Sequence, residues 1–309
     1  MTAARFKGPV QHCLPRRSDR FKQQHVTFAF MLFPAVLLYC IFVVYPLLGG
    51  FYYSLTNWTG IDTHFDFVGL KNYVKVFTES RTLIPLRNTF VYAFITTTVV
   101  NVVALLIAVG LDAKLRFKNI MRALIYIPNV LSSLIVGYVW CFIFTEPLAD
   151  FGKMIGNDLL AYNILGSKSS LYAISFVTIW QTAGWYMVVY LAGLQTIDQN
   201  LYEAAVMDGA NAWKRFLHIT IPGMVPAFTV NIVIAMLRTF KQFDLIFAMT
   251  GGGPGNASET VSILIYKESF TNYNAGYASA VGIVLFLIIV ILSLIQLSLF
   301  RKAEDYVNE

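Results

Sequence analysis

Long apolar runs recur along the chain, separated by polar stretches, and each run is long enough to cross a bilayer as a single helix. They are Phe28 to Leu48, Thr89 to Gly110, Ala123 to Phe144, Ser170 to Leu194, Ile219 to about Phe240, and Tyr277 to Phe300. About twenty residues at 1.5 Å per residue match a hydrocarbon core of roughly 30 Å. A helix satisfies every backbone N–H and C=O within its own segment, which lipid cannot do for it. The pattern therefore predicts an all-α membrane protein with six transmembrane helices. Pro34 and Pro46 fall near the ends of the first run, whereas Pro128, next to Asn129, predicts a kink in the third.

The polar stretches set the orientation. Residues 1–27 form a basic leader with Arg5, Lys7, Arg16, Arg17, Arg20 and Lys22 against Asp19, and the short loop after the second run carries Lys114, Arg116, Lys118 and Arg122. Cationic segments stay in the cytoplasm. The longer segments 49–88 and 145–169 and the glycine-rich Thr250 to Asn256 have a lower cationic density and belong outside. Both termini, including the tail at 301–309, are then cytoplasmic. The leader meets an apolar run without a small-residue cleavage site, so it reads as a retained first span.

Composition agrees with this picture. The chain is 57% hydrophobic and only 13% charged over 309 residues, far from the quarter-charged composition of soluble domains. Its net charge of +6 sits beside apolar runs, so no nucleic-acid groove is implied. Cys13, Cys40 and Cys141 form no CxxC pair, and His12, His25, His64 and His218 are scattered, so no metal site or catalytic cluster is expected. No GxxxxGK[ST] motif occurs, so the chain has no ATPase site of its own. An enzyme is therefore not expected. A secondary transporter would need ionisable relay residues at mid-membrane, and the acids lie almost entirely in loops.

The polar loop at 195–218 does more than connect two spans. Asn200 with Glu203 three residues on fits a capping box, and Ala204 and Ala205 present small faces. Asp208-Gly209 breaks the helix, because glycine accepts positive φ without steric cost. A second short helix is predicted from Asn211, with Trp213, Phe216 and Leu217 on one side and Lys214, Arg215 and His218 on the other. An amphipathic helix lying on lipid has the same look.

Taken together, Glu203, Ala204, Ala205, Asp208, Gly209, Ala210, Phe216 and Pro222 resemble the EAA loop of the permeases of binding-protein-dependent ABC importers, of the carbohydrate-uptake, MalF/UgpA-like type. Val43 to Trp58, Phe67 to Tyr73, the PNVLSSLIVGYVWCFIF stretch and Phe240 to Thr260 extend the resemblance over most of the chain. The resemblance implies a type I ABC importer permease fold over residues 28–300, in the cell membrane. It implies that the loop couples the spans to a cytoplasmic ATP-binding subunit dimer, which binds the ATP and Mg; this chain needs no cofactor. It also implies a second homologous permease subunit, an extracellular or periplasmic solute-binding protein, and a carbohydrate substrate; a sugar phosphate or other non-sugar solute is the alternative.

Candidate substrate contacts come from helical spacing. Thr178, Gln181, Thr182 and Trp185 share one helix face, and Asn231, Arg238, Thr239 and Gln242 recur at roughly helical intervals. Amides and hydroxyls suit a sugar, with an aromatic face for stacking, yet the same groups can bond neighbouring helices. For Arg238 and Lys241, the outward-snorkelling anchor is the favoured expectation over a role in binding an anion.

Overall fold

The computed structural model describes residues 30–113, 116–157 and 164–308. The leader at 1–27, Lys114 and Asp158 lie outside the described residues. Two compact units are present, Met1–Tyr52 and Tyr53–Glu309. Among the described residues the secondary structure is helical, with one isolated bridge between Thr56 and Phe67.

Residues 30–52 of the first unit belong to helix α1, Phe30–Ser54. It contains one wide turn at Cys40–Val44, where the Tyr45 N–H donates to the Cys40 carbonyl. The cause is Pro46: its ring would collide with the carbonyl four residues back, and a π-turn opens that space. Pro46 thus lies inside a helix that continues to Ser54, and not at its end as expected.

In the second unit, α2 is Lys71–Thr78. Asn72 anchors its start by donating to the Ser54 and Thr56 carbonyls at 2.9 and 2.8 Å. Helix α3, Ser80–Asp112, starts nine residues before the predicted second span. The third run is not one kinked helix: α4, Lys118–Val130, and α5, Ser133–Thr145, are separate. The break falls at Leu131, whose ψ of 145° is extended, three residues beyond Pro128. The predicted kink is thus displaced and sharpened into an interruption. Helix α6 is Pro147–Met154.

Helix α7, Ser170–Thr196, is buried along much of its length and packs on α3, α4 and α10. Helix α8 is Gln199–Met207, and α9, Ala212–Gly223, meets α10, Val225–Phe240, at a bend of 66°. Pro222 therefore precedes the bend and does not open the fifth span; Pro226 occupies the first turn of α10. Helices α11 (Asp244–Thr250), α12 (Val261–Tyr266) and α13 (Ala275–Asn308) complete the chain. Residues 301–308 thus extend the last helix.

Among the described residues, four helical stretches are long and apolar enough to cross a membrane: Phe30–Ser54, Ser80–Asp112, Ser133–Met154 and Ala275–Lys302. The bent pair α9 and α10 makes five. Helix α7 falls short on apolarity because it turns Ser175, Thr178 and Gln181 inward. With no water to drive association, close backbone approach does much of the work. Gly184 lies directly on the Ile125 carbonyl and Tyr126 Cα, where any Cβ would overlap.

Candidate functional site

A cavity of about 430 Å³ opens between α3, the α4–α5 break, α7 and the end of α10. Six of the eight predicted substrate-path residues line it: Thr178, Gln181, Thr182, Arg238, Thr239 and Gln242. Helical spacing brings the first three onto one face of α7, and Lys241 joins them just past the end of α10. Thr178 and Thr182 donate to the carbonyls four residues back, at 2.9 and 2.7 Å; the Tyr92 hydroxyl then donates to Thr178 at 2.8 Å, and Thr182 keeps its lone pairs for a ligand. Thr239 donates within its own helix as well.

Gln181 has two employments. It lines the cavity, and its Nε2 donates to the Leu131 carbonyl at 3.1 Å, a group the break in the third run leaves without a helical partner. Irregular backbone at membrane depth is tolerated where it borders a polar cavity and finds such donors. Asn129 and Ser133, on either side of the break, line the same space.

The other two predicted residues lie elsewhere. Asn231 is fully buried and donates to the Tyr186 carbonyl at 3.0 Å, tying α10 to α7 as structural glue. Trp185 carries Arg238: the guanidinium carbon is 4.5 Å from its ring centroid. Arg238 is exposed, and it borders the cavity with its cation held over an aromatic face. Thr96, Asn129 and Ser133 were missed because each belongs to an element outside the predicted stripes, whereas Tyr186 continues the α7 stripe one turn past Thr182. The Pro128-Asn129 pair was the available clue, since interrupted backbone in lipid marks a cavity.

The polar loop folds largely as its sequence suggests. Helix α8 ends with Asp208 as cap and Gly209 at φ +75°. The Gly209 N–H donates to the Val206 carbonyl and the Ala210 N–H to that of Ala205, at 3.0 and 2.9 Å, which is the Schellman pattern. Asn211 caps the next helix by accepting from the Lys214 N–H at 2.8 Å. Tyr202 and Thr220 join the two helices through their hydroxyls at 2.9 Å, and Trp213 stacks on Phe216 at 5.7 Å. A wide turn at Phe216–Thr220 precedes Pro222.

The capping box is corrected. Asp198, not Asn200, caps α8, accepting from the Asn200 N–H at 2.9 Å. Glu203 then lies beyond the first turn, too far along to reach back, and its side chain is exposed. Ala204 is exposed too, while Ala205 and Ala210 face a second hollow shared with Lys214, Arg215 and His218.

Apart from Thr96, both regions fall inside the match to a family described as binding-protein-dependent transport system inner membrane component, which covers residues 100–305. The chain belongs to this family. A multiple sugar-binding transport system permease protein, MsmF of Streptococcus mutans, is 34% identical over 89% of this chain and 95% of its own length. A probable starch degradation products transport system permease protein, AmyD of Thermoanaerobacterium thermosulfurigenes, is 32% identical over 93% and 98%. The fold is that of a chain in a bacterial alginate ABC transporter, solved in complex with an alginate pentasaccharide-bound periplasmic protein. There the TM-score is 0.80 at 22% identity, with 94% of this chain and 98% of that chain covered. As a family member the chain is a transport subunit of the membrane, and the secondary-transporter and enzyme alternatives fall away.

Proposed function

We propose that this chain is one of two permease subunits of an ATP-driven importer for carbohydrates. The observation that carries the reading is the cavity, in which hydroxyl, amide and aromatic groups from α3, α7 and α10 converge within a chain of the permease family. Sugars are bound by just such groups, placed to accept and donate at once. The sugar-named relatives cover nearly the whole chain and support the same substrate class.

The topology consistent with this role has six spans and both termini in the cell's cytoplasm. Helix α7 supplies the span that its polar face disguises, since 27 residues reach about 40 Å. The fifth span is α10, entered through the bend after α9. On that topology the loop at 195–218 faces the cytoplasm. Its first helix, α8, is the coupling helix seated in a cleft of the ATP-binding subunit. Glu203, Ala204, Asp208 and Gly209 are exposed, Ala205 permits close approach, and Ala210, Phe216 and Pro222 shape the return to the membrane.

ATP and Mg bind to the two cytoplasmic subunits, whose closure is passed through α8 as a rigid-body push. The complex turns from inward to outward facing, and an extracellular or periplasmic binding protein releases its sugar into the cavity. Purification through a tag on this chain, after coexpression with its cognate partners, tests the assembly. A second permease and an ATPase should copurify, and hydrolysis should rise with loaded binding protein. A chain isolated alone, with no stimulated hydrolysis, would overturn the reading.

A further inference from the structure

Three features of the cavity share one sign of charge. Arg238 and Lys241 line it, and no Asp or Glu is among its lining residues. The nearest carboxylate in sequence, Asp244, is exposed, does not line the cavity and makes no ion pair with Lys241. The first turn of α5, represented by Ser133, borders the cavity with no side chain capping it, so the positive end of that helix is directed at the same space.

Polar groups in the wall await a partner. Thr96 is 1% exposed, lines the cavity and has a hydroxyl without a hydrogen bond. Arg238 is held over Trp185 and shares a hydrogen bond with the Tyr186 hydroxyl, contacts that fix its plane at the cavity wall; a guanidinium has five donors, so others remain for a ligand. A neutral sugar needs no such excess of positive charge, whereas an unscreened carboxylate or phosphate does.

We infer that the cavity selects an anionic carbohydrate, one bearing a carboxylate or phosphate, with Arg238 and Lys241 as the anion-binding pair. The inference rests on the sugar-importer reading and narrows its substrate class. Arg238 supplies a fork suited to two oxygens and Lys241 a point charge at the mouth. The hydroxyls and amides of Thr96, Thr182 and Gln242 take the sugar's neutral groups.

The test uses the whole importer, with its partner permease, ATPase and binding protein, in proteoliposomes. Uptake is compared for three probes: a neutral glucose trisaccharide, a uronate trisaccharide and a hexose 6-phosphate. Because the binding protein also selects, direct binding of each probe to the complex without it is measured in nanodiscs. The expected result is a preference for one of the acidic probes, reduced about tenfold or more by Arg238→Gln or Lys241→Gln; the two acidic probes tell carboxylate from phosphate. Arg238→Lys should restore part of that preference, with thermal melting used to exclude misfolding. Equal binding of neutral and acidic probes, or an acid-to-neutral ratio untouched by both substitutions, would overturn the anion inference while the importer reading stands. Absence of ATP-driven uptake of any of the three by the wild-type complex would count against both.

Discussion

Gln181 donates from Nε2 to the main-chain oxygen of Leu131, 3.1 Å away and 50 residues back along the chain. One side chain on α7 thereby closes the gap that separates α4 from α5. A carbonyl left unsatisfied where water cannot reach it costs about 1–3 kcal/mol, an upper bound here because Leu131 lines the cavity. Gln181→Leu should destabilise the purified complex by no more than that order, read as a lower melting temperature, and weaken uptake. Gln181→Asn, whose amide is one methylene short, should fall between. A Gln181→Leu complex melting like the wild type would mean that water replaces the amide there.

Gly209 tests the coupling loop. Its φ of +75° is strained for any side chain with a Cβ and worst for a β-branched one. Gly209→Val should reduce ATP-driven uptake about tenfold or more by displacing α8 from its partner, at a local strain of about 1–3 kcal/mol. Gly209→Asn, which tolerates the left-handed region, should retain most of it. Wild-type uptake by the valine variant in a reconstituted complex would remove the loop from the coupling path.

Gly184 is a packing test with no functional group at stake. A Cβ there meets main-chain atoms of Ile125 and Tyr126, and backbone cannot swing aside as a side chain can. Gly184→Val should cost about 3 kcal/mol through forced separation of α4 from α7. The yield of monodisperse protein in detergent reads the effect, and an unchanged yield and melting curve would show the contact to be loose.

The glutamates that hold Arg81 should differ in weight. Glu259 accepts from Arg81 at 2.8 and 3.1 Å through both oxygens and lies 3.3 Å from Lys267, with no exposed surface on its side chain. Glu268 meets Arg81 through one oxygen at 3.1 Å and also accepts from Asn272. Breaking a buried pair leaves a charge stranded, at about 3–5 kcal/mol. Glu259→Gln should therefore destabilise more than Glu268→Gln, and thermal unfolding of the two variants side by side gives the order.

What the sequence disclosed and what it concealed have different physical origins. The Asp208-Gly209 stop and the shared face of Thr178, Gln181 and Thr182 are local properties, and both appear in the fold. The position of the break at Leu131 is not local. Proline at 128 only weakens the helix there, and the chain parts where a donor from α7 can satisfy the freed carbonyl. Asp198 displaced Asn200 as cap for a related reason: α8 starts as soon as the α7 chain turns at Ile197, whose ψ is 130°. Asn231 and Gln181 look alike in sequence as inward polar residues. Only the packing of α7 on α10 divides them into a buried tie and a cavity wall.

The length of α3 has a bearing on that ion cluster. Its 33 residues extend about 50 Å, well beyond the roughly 30 Å of hydrocarbon. Its apolar stretch begins near Thr89, so Arg81 stands about two turns past it. On the proposed topology the cluster rides at the depth of lipid headgroups, with Arg81 and Lys267 each 32% exposed and Glu259 fully buried. Dissolved ions can reach its cationic rim but not its anionic centre.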